Sequence, residues 1–192
     1  VSFIRVEDFE VKGFHDAGID LNPGSGNKFV IRGNRVHHNG WFCDGNSRTQ
    51  GIYVGAVNDV IIENNIIHDN RLLLNGENGC TPTTNAFLNQ SHGLYIEGSS
   101  NLLIRNNVFY DNPQGWGIHV YSGHNVMSRD LVIANNTFSQ GNPNRDGQIV
   151  LTYPGVSNAY IFNNIFSSPT AAGLRIAATD GGTTTFENIR IE

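Results

Sequence analysis

Three residues stand out as able to move protons: Tyr95, His119 and His92. A four-residue segment of the form Gly-apolar-X-apolar recurs at residues 18–21, 51–54, 93–96, 117–120 and 173–176, with a looser copy over 147–150. Its X positions are Asp20, Tyr53, Tyr95, His119 and Arg175. Glu97 and Tyr121 follow in the next outward row, and Gln50, His92 and Trp116 precede the glycines. If the copies stack, these side chains form one surface of aromatic rings, imidazoles and a guanidinium. Aromatic faces suit the apolar faces of sugar rings, and Arg pairs in bidentate fashion with a carboxylate such as a uronate. His and Tyr can divide the roles of base and acid in abstracting a proton beside that carboxylate, as β-elimination or C5-epimerisation requires. A cation or Arg would stabilise the enolate charge that develops. The candidate catalytic residues are therefore Tyr95, His119 and His92. Tyr53, Trp116, Tyr121, Arg175, Arg48 and Glu97 are the candidate substrate contacts. The competing view is plain: tyrosines on a parallel strand satisfy β-propensity, and a histidine there is an ordinary surface residue.

A second set involves Asp69 and Asp111, which fall at equivalent places before a turn, with His38 one repeat earlier. They could bind Ca²⁺, which takes about six to eight oxygens; otherwise they are solvated or cap their turns. No Asp-Asp pair is present. Serine or cysteine nucleophile motifs, a phosphate-cradling glycine loop and zinc-type His/Cys spacing are also absent.

These residues are positioned by an internal repeat. A second segment follows each glycine segment: residues 30–34, 61–65, 103–107, 132–136 and 161–164, each apolar at first and closing on Asn. Residues 93 to 117 leave room for three short strands and three turns, which is one coil. Alternation places every second side chain inside. Ile31, Ile62, Ile104, Ile133 and Ile161 then stack as one interior column, and Val36, Ile67, Phe109, Phe138 and Phe166 as another. Arg32, Glu63 and Arg105 stack outside with alternating sign. The chain has 26 asparagines and 22 glycines. Asn at the bends tolerates left-handed backbone and can hydrogen-bond to its neighbours above and below. Helices are excluded, because the spacing is period two and Gly or Asn interrupts every segment.

Charged residues make up 15% of the chain and the formal net charge is −5. With no basic run, a nucleic-acid partner is not expected. No apolar stretch is long enough to span a bilayer. The expectation is a single domain over 1–192, an all-β, right-handed parallel β-helix of about six to seven three-strand coils, either whole or a segment of a longer solenoid. No polar caps cover the first and last coils, so the ends are bare or covered by self-association. The chain begins at Val1 within a strand-like stretch, as a processed chain would. Between residues 39 and 50, and between 70 and 91, long insertions fall at one corner on consecutive coils. They carry Trp41, Phe42, Cys43 and Arg48, and Leu72, Leu73, Leu74, Cys80 and Phe87. Insertions in solenoids map to one face, often the binding face. Cys43 and Cys80 are either a disulfide tying the loops or two buried thiols.

The phrases Ser91-His92-Gly93-Leu94-Tyr95-Ile96 and Ile104-Arg105-Asn106-Asn107-Val108-Phe109-Tyr110-Asp111-Asn112 resemble repeats of the pectate-lyase-like superfamily. The resemblance runs through nearly the whole chain. It implies the β-helix fold and a carbohydrate-active protein that is secreted, periplasmic or at the cell surface. Since the fold hosts many activities, the activity rests on the site. The expected function is a polysaccharide lyase or C5-epimerase on an acidic glycan; the alternative is a non-catalytic glycan-binding, adhesion or structural solenoid. On either view Tyr53, Tyr95, His119 and Arg175 should line one exposed strand face.

Overall fold

In a computed structural model the chain winds through three parallel sheets with no α-helix among the described residues. Those are residues 3–22, 27–41, 43, 49–74, 76–80, 90–140, 147–167, 172–178 and 183–192. Sheet A has seven strands, from Ile4–Glu7 to Thr185–Ile191; sheets B and C have six each. Each turn of the chain visits A, then B, then C, and pairs in register with the turn before. Six complete coils and a seventh sheet-A strand result, as the repeat count predicts. No helix of the described residues is long and apolar enough to cross a membrane.

The interior columns are those expected from the alternation. Ile31, Ile62, Ile104, Ile133 and Ile161 are paired neighbours in sheet A and fully or almost fully buried. In sheet B, Val36, Ile67, Phe109 and Phe138 fill the second column, and the rings of Phe109 and Phe138 stack 4.9 Å apart. Parallel strands buried on one side favour such branched and aromatic side chains. The outward column is equally regular. Glu63 bonds Arg32 at 2.6 Å and Arg105 at 2.7 Å, on the coils before and after.

Asparagines divide the corner between sheets A and B into two tasks. The first of each Asn pair, at 64, 106, 135 and 163, has φ between 52 and 58°, the left-handed conformation that Asn accepts more readily than most residues. Gly33 takes this place on an earlier coil. The second Asn turns its amide inward. Asn34, Asn65, Asn107, Asn136 and Asn164 form a continuous ladder, each Nδ2 donating to the next Oδ1 at 2.9–3.0 Å. From Asn65 to Asn164 each Oδ1 also accepts the backbone N–H of the previous Asn, and Asn34 Oδ1 accepts that of Phe9, so these bend amides are paired. A shorter ladder, Asn39, Asn70 and Asn112, serves the corner between B and C.

Glycine begins the sheet-C strands because the chain passes close to its neighbours there. A Cβ on Gly51 would lie 2.6 Å from the Gly93 carbonyl oxygen and 2.9 Å from Ile67. One coil departs from the sequence pattern. Ile149 pairs with Ile118, so Gln148, not Gly147, stands in the glycine position, and Val150 holds the X position. The looser copy is thus displaced by one residue. The cysteines form a disulfide, with Cα atoms 5.2 Å apart, which ties the two long insertions together.

Two predictions follow from the corner and the charged column. Asn107→Ala removes four side-chain bonds and strands buried groups on both sides, costing about 3 kcal/mol, whereas Asn106→Gly is nearly neutral because Gly also accepts left-handed backbone. Chemical denaturation of the two variants measures the difference. For Glu63, burial pushes the carboxyl up, but Arg105 and Arg32 outweigh it and hold the pKa below the usual carboxylate range. A lowered folded pKa means the stabilisation is complete above the unfolded value of about 4.3 and fades as pH falls through the folded one. Glu63→Gln should lower stability at about pH 7 by about 1–2 kcal/mol and flatten this acid limb, as urea melts across the range would record.

Candidate functional site

The outward face of sheet C floors a groove of about 780 Å³. Its central column runs Asp20, Tyr53, Tyr95, His119, Val150, Arg175, one residue per coil, set by the pairing of the sheet-C strands. Glu97 and Tyr121 stand in the next outward row, beside Gly55 of the earlier coil. The groove thus brings together Tyr53, Tyr95, His92, Trp116, His119, Tyr121, Glu97 and Arg175. Arg48 lies outside the described residues.

The rings pack into a continuous row. Tyr53 stacks on Tyr95 at 5.8 Å, Tyr95 on His92 at 5.6 Å, and His92 on Trp116 at 5.0 Å with the planes 4° apart. His119 meets Tyr95 and Trp116 edge-on at 5.2 and 4.4 Å, and lies against Tyr121 at 5.7 Å. Tyr53, Tyr95 and Tyr121 are half-buried.

Hydrogen bonds fix the imidazole tautomers. The backbone N–H of Trp116 donates to His92 Nδ1 at 3.0 Å, so the neutral ring carries its proton on Nε2. That Nε2–H faces His119 Nδ1 at 3.1 Å and must donate to it. His119 in turn carries its proton on Nε2, 3.1 Å from Thr152 Oγ1, and the Thr152 hydroxyl donates to the Val120 carbonyl at 3.1 Å. The chain Trp116–His92–His119–Thr152 therefore has one direction, and each imidazole's accepting nitrogen is already engaged. A base drawn from this pair must first give up a bond.

Electrostatics differ along the groove. Tyr53 Oη donates to Glu97 Oε2 at 2.7 Å, and His124 Nδ1 approaches Glu97 Oε1 at 2.8 Å. Burial, then the hydrogen bond to Glu97, then the charges of Glu97 and Asp20 push the Tyr53 phenol far above its ordinary pKa, so it stays protonated. Partial desolvation pushes the Asp20 carboxyl up, Asn22 offsets part of this and Asp16 adds to it. Carboxylates thus gather at one end of the groove, and Arg175 stands at the other.

The expectation of an exposed face needs correction. His92, His119 and Trp116 are buried, at 2%, 8% and 8% exposure, because the row packs against itself across three coils. His92, buried and bonded to backbone, orients His119 rather than meeting a ligand directly. Val150 separates His119 from Arg175, placing them two coils apart, roughly 10 Å along the stack. Gln50, marked in sequence by its place before a glycine, bonds the His92 amide through Oε1 at 2.9 Å and the Gln90 carbonyl through Nε2. Other residues escaped sequence reasoning: Thr152 ends the imidazole chain, while Asp16 and His124 line the rim. Thr152 was findable as the residue flanking its strand segment; Asp16 and His124 lie in bends with no repeat to mark them.

Asp69 and Asp111 belong to the corner between sheets B and C and do not line the groove. With His38 and Gln140 they share a left-handed column, φ 47–52°. Burial, then the neighbouring Asp69 charge, pushes the Asp111 carboxyl up, against His68. Gln140, with its amide nitrogen turned to Asp111, donates at 2.9 and 3.2 Å.

No curated protein and no solved structure matches the chain. A family model described as the right-handed beta helix region matches residues 1–191. Its coverage of the whole solenoid agrees with three in-register parallel sheets, and the chain belongs to the right-handed β-helix family.

Proposed function

We propose that this protein is carbohydrate-active and binds an oligosaccharide along the sheet-C groove. The observation that carries the reading is the row of half-buried tyrosine rings, Tyr53, Tyr95 and Tyr121, backed by the buried His92, Trp116 and His119, in a groove with room for several sugar units. Polar groups punctuate the row, as hydroxyl-bearing ligands require: Glu97, Asp20, Gln50 and Arg175. The carboxylates favour neutral sugars at the Asp20 end, and Arg175 suits a uronate at the other. The Cys43–Cys80 disulfide supports a secreted, periplasmic or cell-surface setting. Self-association through the end coils is a companion proposal, supported by the exposed Phe3, Phe9 and Phe14.

One observation favours catalysis as a second reading. Four groups are spent on fixing the tautomer and orientation of His119, which touches Tyr95 at 5.2 Å. Such ordering beside a phenol suits proton transfer, with Tyr95 exchanging the proton and His119 holding it in place, in a lyase or C5-epimerase reaction. Arg175 is too far along the stack to clamp the same sugar ring, so the enolate charge would need another partner.

The two readings separate experimentally. Titration calorimetry with a panel of neutral and uronate oligosaccharides should find a binder, and Tyr95→Ala should weaken it about 10-fold through loss of the ring face. Tyr95→Phe keeps the face and loses the hydroxyl. Unchanged affinity with lost formation of unsaturated or epimerised uronate indicates catalysis; no product from the unmodified protein indicates binding alone. Failure of every glycan to bind removes the groove assignment. His119→Ala should also lower stability, by about 1–3 kcal/mol, because it leaves buried partners unpaired; a thermal melt shows whether it does.

A further inference from the structure

A second group of imidazoles lies at the corner between sheets B and C. His37 and His68 hold equivalent positions on adjacent strands, both buried, with rings stacked 4.8 Å apart at 4°. His38 is half-buried and turns its ring edge-on to both. One ring nitrogen from each falls within 4.8 Å of the others.

The protons in this cluster can be placed. A carboxylate only accepts, so His37 Nε2, 3.1 Å from Glu10 Oε1, carries the ring proton and leaves Nδ1 a lone pair. That lone pair faces His38 Nδ1 at 2.7 Å, and a proton on His38 bridges the gap. His68 Nδ1 donates to Asp69 Oδ2 at 2.7 Å, and its Nε2 accepts from Arg35 Nε at 3.1 Å. His37 thus has the arrangement of a metal-binding imidazole, one nitrogen backed by a carboxylate and the other presented with its lone pair.

We propose that His37, His38 and His68 form a binding site for a divalent transition metal of the zinc type, with the Asp69 carboxylate as fourth donor. A tetrahedral cation with metal–nitrogen bonds of about 2.0–2.1 Å replaces the proton between His37 and His38 as their nitrogens move from 2.7 Å to about 3.4 Å apart. His38 then keeps its proton on the other ring nitrogen. His68 takes the metal on Nδ1 and holds its proton on Nε2, so Arg35, which is exposed, turns away into solvent. Glu10, Asp69 and Asp111 balance the charge. Imidazole nitrogen suits zinc, cobalt, nickel and copper, whereas Ca²⁺ wants oxygen donors, so the site differs from the Ca²⁺ site the two aspartates suggest in sequence. It was invisible as a zinc motif because its ligands come in two adjacent pairs, 37–38 and 68–69, from consecutive coils.

The test uses the full chain stripped with a chelator. Zn²⁺ should bind one-to-one by calorimetry and raise the melting temperature. Co²⁺ should give a visible absorption of tetrahedral type and quench Trp41, which stacks on His38 at 4.6 Å. His38→Asn accepts the left-handed backbone at φ 52° and should preserve the metal-free melt while weakening Zn²⁺ by at least about 10–100-fold. His68→Gln should weaken Zn²⁺ likewise, while lowering the metal-free melt because the buried ring stacks between His37 and Tyr110. The proposal is overturned if Zn²⁺ fails to bind, or if it binds equally to both variants. It is also overturned if a one-to-one Ca²⁺ site appears that Asp69→Asn abolishes and His38→Asn leaves intact.

Discussion

The buried amide ladder from Asn34 to Asn164 is the interaction on which the rest depends. A parallel stack has no hairpin to set its register, so each coil must be told where the next one sits. An amide that donates to one neighbour and accepts from the other does so, because a one-residue slip breaks several buried bonds at once. Once register is fixed, one position on one coil becomes a column along the whole stack. The isoleucine core, the Arg–Glu–Arg ribbon and the aromatic groove are three such columns.

Much of this was legible in the residues themselves. Period-two alternation marks the core columns, and five copies of the glycine segment set Tyr95 beside His119. Burial was not legible. His92 looks like a surface residue in sequence, because the groups that cover it, Trp116 and His119, come from a later coil, 24 and 27 residues away. The shift at Gln148 escaped as well. Gly147 matches the pattern, but strand pairing follows Ile149 and Leu151, whose burial outweighs a glycine's convenience. The pairing of the cysteines, left open by composition, depended on two insertions bringing Cys43 and Cys80 within 5.2 Å, which spacing alone does not encode.

The groove joins two kinds of order. Its ring faces are repetitive, arising wherever the X position is aromatic. Its hydrogen-bond chain is singular, since His92, His119 and Thr152 each occur on one coil only. Repetition suits a ligand that is itself a repeat, and the singular chain marks one place along it. Val150 interrupts the polar column just beyond that place, so the two ends of the groove differ in chemistry as well as in charge.

The ladder has a further property. From Asn34 to Asn136 each Nδ2 donates forward to the following coil's Oδ1 and back to a backbone carbonyl of the coil before, while the side-chain carbonyls from Asn65 to Asn164 all face the preceding coil, so their dipoles align along the axis. Aligned amides polarise one another, and a central rung is worth more than a terminal one. The ladder is therefore an electrically polar column, with a head and a tail distinguishable by the direction of its carbonyls.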